Sequence, residues 1–213
     1  METIHILNVP FYKFCADQTL TDKILNQVSN LNFTNRDIAI ENGYSYPDFF
    51  DEELFLFFET AIKKVQNIYY NDNLEFPIVD CWVNKYSKMN NLVPHTHNNA
   101  VICGLFYLTS HENEGATIFH LQNPWHNQNN SNLSIFKGSK PIIGEIKAQA
   151  GTLVLFPNNL LHTMKTLVKV TSPRYTIAFN TFPRGIISDQ YTTKLSLDVV
   201  SVRERVTGYK SKK

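Results

Sequence analysis

Between residues 77 and 182 the chain falls into short runs rich in Val, Ile, Phe, Tyr and Thr, at 77–86, 100–109, 116–121, 143–148, 151–156, 162–170 and 174–182. Clusters of Gly, Pro, Asn and Ser separate them. Runs of this length and texture predict strands. A succession of short strands buries its apolar faces by closing on itself as a sandwich or jelly roll. Nothing else in the chain restricts the fold as strongly.

Ahead of the strands, "ADQTLTDKILNQVSNLNF" sets Leu20, Ile24, Leu25, Val28 and Leu31 at helical spacing. "DEELFLFFETAIKKVQNIYY" predicts a second, longer helix, with Asp51, Glu52 and Glu53 favourably placed at its N-terminus. Residues 3–9 predict a short strand, and "TNRDIAIENGYSYPDFF" between the helices predicts a loop. The expected architecture is therefore mainly β with N-terminal helices packed outside a jelly roll. At 213 residues the chain suits one domain, 1–213. Within it, 1–75 is a supporting region, 76–185 the β core and 186–213 an extension. The polar stretch "LQNPWHNQNNSNLSIFKGSKP" (121–141) predicts a lid or binding loop. The basic tail "RERVTGYKSKK" predicts a frayed, solvated terminus.

A formal net charge of +1 gives no electrostatic draw toward nucleic acid or an anionic membrane. Charged residues are 18% of the chain and hydrophobic ones 43%, which suits a globular domain rather than a disordered one. Cys15, Cys81 and Cys103 are an odd set without CxxC spacing, read as reduced, buried thiols of a cytoplasmic protein. "METIHILNVPFYKF" lacks the pattern of a signal peptide, and no apolar run is long enough to span a membrane. The sequence leaves a homo-oligomer open.

The chemistry gathers in "PHTHNNAVICGLFYL". Residues two apart on an extended segment share a face, so His95 and His97 point together and make half a metal site. A third imidazole, His162, stands in "GTLVLFPNNLLHTMKTL", where Gly151 opens an apolar strand and Pro157 with two asparagines turns the chain. A jelly roll brings such a hairpin beside the His95/His97 segment. Three protein ligands that leave positions open describe a catalytic metal rather than a structural one. Arg174, Thr176, Ala178 and Asn180 share one face of the last strand, opposite Tyr175, Ile177, Phe179 and Thr181. The face of Arg174 is thus either wet surface or a polar cavity, and a guanidinium in a cavity suits a carboxylate.

In order and spacing, His95-x-His97, a strand ending in Tyr107, "GTLVLFPNNLLH" and Arg174 through Asn180 resemble the 2-oxoglutarate/Fe(II)-dependent oxygenases. More narrowly they resemble the oxygenase group with a His-x-His element and a closing "Arg…Phe-Asn". The resemblance spans roughly residues 80–182. It implies a double-stranded β-helix, cupin-like in architecture. It also implies Fe(II) held by His95, His97 and His162, with 2-oxoglutarate and O2 as cosubstrates. The expected reaction hydroxylates a substrate that the sequence does not identify, releasing succinate and CO2. Arg174 takes the role of holding the distal carboxylate of 2-oxoglutarate, with Tyr107 and Tyr86 as further contacts and Asn84 and Asn180 lining the site. The departure from the family is His97, which stands where an Asp is usual.

Two rival readings stay open from sequence: a cupin-like metalloenzyme that does not use 2-oxoglutarate, and a non-catalytic jelly-roll module. His5, His111, His120 and His126 lack the context of the other three and are expected on the surface or in loops, and Trp82 and Trp125 in packing roles. No P-loop, GxGxxG, GxSxG or CxxC pattern is present.

Overall fold

The computed structural model describes residues 10–35, 43–86, 94–110, 116–120, 142–165, 172–187 and 194–208. The expectations for residues 3–9 and 121–141, and for His5, His111, His126 and Trp125, lie outside the described residues.

The two expected helices form. Helix α1 (Gln18–Ser29) begins at Asp17, whose side chain accepts from the Leu20 N–H at 2.7 Å. It buries Leu20, Thr21, Ile24 and Val28 along one stripe. Helix α2 (Glu52–Tyr69) begins at Asp51, which accepts from the Leu54 N–H at 3.0 Å, and it buries Leu54, Phe55, Phe58, Ala61, Ile62 and Val65. Asp51 also receives the Gln27 amide at 3.1 Å and the Lys23 ammonium at 3.1 Å, so one carboxylate caps α2 and ties α1 to it.

Seven strands form the main antiparallel sheet: β1 (Tyr12–Cys15), β2 (Thr34–Asn35), β3 (Gly43–Pro47), β5 (Ile78–Tyr86), β6 (Ile102–Tyr107), β9 (Thr152–Pro157) and β11 (Arg174–Thr181). Their order is β1-β9-β6-β11-β5-β3-β2. A second sheet, in the order β10-β7-β8, contains β7 (Thr117–His120), β8 (Ile142–Ile146) and β10 (Leu161–Met164). A small third sheet joins β4 (Leu74–Glu75) to β12 (Arg184–Ile187) and β13 (Leu195–Leu197).

The helices cover one face of the main sheet. There Phe58 of α2 meets Phe106 at 5.6 Å and Phe179 at 4.7 Å between ring centroids. Gly104 faces Phe179 across the ladder, and a Cβ at that glycine would lie 2.1 Å from the ring. The glycine is what lets the ring lie down. The second sheet covers the opposite face, where Phe119 meets Phe156 at 5.2 Å. This is the jelly roll, with the helices outside.

Three expectations need correction. Residues 43–47, expected within a loop, are a strand instead, with Tyr44 to Pro47 pairing with β5 and Pro47 opposite Trp82. The tail is not all frayed either. Helix α3 (Val202–Thr207) is capped by Ser201 and Glu204 in reciprocal bonds, and Glu204 is held by Arg184 at 2.9 Å. Finally Cys15 is exposed, while Cys81 and Cys103 are buried free thiols as expected.

Candidate metal centre

Between the two sheets, the segment before β6 and the turn joining β9 to β10 lock together through their backbones. The His95 N–H donates to the His162 carbonyl at 3.0 Å, and the His162 N–H returns a bond to the His95 carbonyl at 3.0 Å. One turn away, the His97 N–H donates to the Asn158 carbonyl at 3.1 Å, and the Asn158 amide donates to the His97 carbonyl at 3.1 Å. The asparagine in "FPNNLLH" therefore fixes the His-x-His segment against the hairpin that carries the third histidine.

The rings gather as a result. The His95 and His97 ring centroids are 5.3 Å apart with planes inclined by 14°, His95 and His162 are 4.5 Å apart, and His97 and His162 5.0 Å. One nitrogen from each lies within 4.8 Å of the other two. Imidazole nitrogens sit about 2.1 Å from a first-row ion. Side-chain rotations of about an ångström would bring all three onto one centre.

The protons are arranged to suit this. His162 Nδ1 lies 2.9 Å from the Leu160 carbonyl, which can only accept, so Nδ1 carries the proton and Nε2 keeps a lone pair. His97 Nδ1 lies 2.6 Å from Asn180 Oδ1. Burial pulls the His162 pKa down to about 3, and the neighbouring imidazoles push the same way. Burial also lowers that of His97. Neutral imidazoles are what metal coordination requires.

Arg174 is only 2% exposed. Its guanidinium lies over the rings of Tyr86 at 5.4 Å and Tyr107 at 5.6 Å and touches the Met164 thioether. Among the described residues its Nε has no hydrogen-bond partner, and no carboxylate pairs with it. Burial lowers its pKa, yet an arginine stays charged in a protein. The two phenols do not balance it, because burial raises both their pKa values and keeps them neutral.

The cavity holding these groups is about 90 Å³, and none of the described residues that line it is acidic. The inward face of β11 proposed from its alternation lines it through Arg174, Thr176 and Ala178. Tyr86 and Asn84 line it as well. Tyr107 stands just behind, its hydroxyl 2.6 Å from Thr117 Oγ1. Asn180 is absent from the lining and instead bonds His97.

Several lining residues escaped the sequence reading. Trp82, taken as packing, is half-buried with its ring 5.8 Å from that of His97. Met164 and Thr117 also line the cavity. Two of these had an available signal in the period of two: Trp82 precedes Asn84 by two residues, and Met164 follows His162 by two. His120, expected at the surface or in a loop, has both ring nitrogens buried without a hydrogen-bond partner among the described residues.

Residues 80–180 match the protein family described as "Putative 2OG-Fe(II) oxygenase". Among solved structures, the chain is similar to HygX from Streptomyces hygroscopicus with nickel and 2-oxoglutarate bound. The TM-score is 0.62 at 13% identity, covering 82% of this chain and 83% of that one. It is also similar to a Pseudomonas putida prolyl-4-hydroxylase, with a TM-score of 0.59, 11% identity and coverage of 83% and 94% respectively. A prolyl hydroxylase from Trichoplax adhaerens, in complex with a hypoxia inducible factor peptide fragment, aligns with a TM-score of 0.58 at 17% identity, covering 81% and 83%. No curated protein matches the chain. At these identities the structural likeness is one of fold.

Proposed function

We propose that this chain, whose residues 80–180 match a 2-oxoglutarate/Fe(II) oxygenase family, is such an oxygenase, in which His95, His97 and His162 hold the iron while Arg174 holds the far carboxylate of 2-oxoglutarate. The observation that carries this reading is the buried guanidinium, which among the described residues has no carboxylate partner and sits in a cavity that no described acidic residue lines. Burying a lone charge costs several kcal/mol even after relaxation, on the order of what an anionic ligand must offset. Three neutral imidazoles with a divalent ion add two further positive charges. A dicarboxylate balances two of the three and can reach both centres. A cupin-like site without 2-oxoglutarate leaves Arg174 unexplained.

The donor set fits iron: imidazole suits Fe, and three protein ligands leave positions for a chelating cosubstrate and a gas. When bound, iron and 2-oxoglutarate together supply the activation of O2 that oxidises a substrate while the cosubstrate becomes succinate and CO2. The chain's own part is placement and exclusion. Leu160 and Asn180 hold two Nδ1–H groups so that Nε2 faces inward. Tyr86 and Tyr107 flank the guanidinium and fix its plane. Tyr107 keeps its hydroxyl on Thr117, and Asn84 offers a further polar contact from β5. Phe156 lines the cavity beside the His162 ring at 4.9 Å and keeps water from that side. His97, neutral where a carboxylate is usual, leaves the ion more positive, which favours the dianion and weakens retention of the metal.

The primary substrate is not identified. The +1 net charge supports a small molecule or a peptide over duplex nucleic acid. No described helix is long and apolar enough to cross a membrane. The buried free thiols Cys81 and Cys103 support a reducing, cytoplasmic setting, and we read residues 1–213 as one domain.

The test is an anaerobic titration. Fe(II) and 2-oxoglutarate together should give a weak visible charge-transfer band that neither gives alone. Absence of the band, with no heat of binding for either component, would contradict the reading.

A further inference from the structure

We infer that Asn180 is a positioning residue for His97, its side-chain amide selecting which ring nitrogen of that imidazole is free to bind a metal. The inference rests on the reading of His95, His97 and His162 as ligands.

A carboxylate ligand needs no such selection, because each of its oxygens accepts. An imidazole has one lone pair in its neutral form, and the hydrogen bond made by the other nitrogen decides where that lone pair sits. An imidazole left to water carries its proton mostly on Nε2, which is the wrong nitrogen here. Placing His97 where an Asp is usual therefore creates a requirement, and Asn180 meets it: its Oδ1 lies 2.6 Å from His97 Nδ1, 83 residues away in the chain. A neutral amide oxygen draws the proton to Nδ1 without adding charge.

Both partners are held. His97 is bonded at its N–H and its carbonyl by Asn158. Asn180 is buried near the end of β11, paired with Asp80 on one side and Cys103 on the other. Its neighbour Thr181 is locked to Ile102, accepting from the N–H at 3.2 Å and donating its hydroxyl to the carbonyl at 3.0 Å. An acceptor on so fixed a strand cannot follow a drifting ring, so it holds the ring in place.

The experiment reads the proton directly. Metal-free protein with 15N-labelled histidine is examined by long-range 1H–15N NMR at neutral to slightly basic pH, and Fe(II) binding is measured by anaerobic calorimetry. The wild type, Asn180→Ala and Asn180→Asp are compared. We expect the His97 proton on Nδ1 in the wild type and on Nε2 in the alanine variant, with Fe(II) affinity reduced by about tenfold or more. Asn180→Asp, which keeps the acceptor, should restore the Nδ1 proton and bind Fe(II) at least as tightly as the wild type. Thermal unfolding of the metal-free variants reports on the fold. If the alanine variant does not fold, the wild-type proton position and the aspartate variant still decide.

A wild-type proton on Nε2, Fe(II) affinity of Asn180→Ala within about twofold of the wild type, or an aspartate variant as weak as the alanine one would each overturn the inference. A wild type that binds no Fe(II) would overturn it through the metal reading beneath it. That failure is recognised because all three proteins then bind none.

Discussion

The two faces of strand β11 do opposite work with neighbouring residues. Outward, Tyr175, Ile177 and Phe179 join the apolar core under the helices, close-packed and complete in themselves. Inward, Arg174 and Thr176 line a small polar cavity, and Asn180 supports it through His97. The outward face maximises stability on its own. The inward face carries a buried cation that has no carboxylate partner among the described residues, beside three crowded imidazoles, an arrangement that costs stability until something binds. A single strand can do both because its side chains alternate.

That contrast breaks most visibly on the outer face. Phe179→Ala should destabilise the protein by about 3–5 kcal/mol in chemical denaturation, while Fe(II) affinity of the folded variant stays within about threefold of the wild type. Gly104→Ala should cost about 1–3 kcal/mol in the wild type, where the new methyl meets the Phe179 ring, and much less once Phe179 is alanine.

On the inner face, Arg174→Met should show the opposite signature. Binding of 2-oxoglutarate, measured by anaerobic calorimetry, should weaken by about 100-fold or more, roughly 3 kcal/mol. Metal-free thermal stability should hold or rise, because an unpaired buried charge has gone. A large loss of stability instead would make Arg174 a residue of the fold.

Acid sharpens the same contrast. His162 has an ordinary pKa of 6.5 and a folded value near 3, so below 6.5 the unfolded chain takes up a proton that the folded one refuses. Its contribution to metal-free stability is therefore complete above 6.5 and is lost as pH falls toward 3. The slope approaches about 1.4 kcal/mol per pH unit. Urea unfolding between neutral and mildly acidic pH should show a flatter slope for His162→Gln than for the wild type. The smallest effect is expected at Tyr107→Phe. Losing the bond to Thr117 should cost about 1 kcal/mol in denaturant titrations, with little change in cosubstrate affinity.

Much of this division was legible in the sequence, since it follows from periodicity. Alternation along 174–182 separated the two faces of β11, and the spacing of Leu20, Ile24 and Val28 set out the stripe that α1 buries. What escaped depends on closure of the fold. Strand β3 alternates Gly43, Ser45 and Pro47, which disfavour a sheet, with Tyr44 and Tyr46, which favour one, and its pairing with β5 settles the conflict. Helix α3 is six residues long, too short for a periodic signal, although Ser201 and Glu204 had the spacing of a capping box. Trp82 and Thr117 come from different sheets, and only the packed roll brings them to one cavity. The bond from His97 to Asn180 joins positions whose adjacency no local pattern encodes.

The most direct measurement is an anaerobic crystal structure with Fe(II) and 2-oxoglutarate bound. The account predicts one ion touching His95, His97 and His162, with the cosubstrate's outer carboxylate forked on the Arg174 guanidinium. An ion bound elsewhere, or a dicarboxylate leaving Arg174 without an anionic partner, would contradict it.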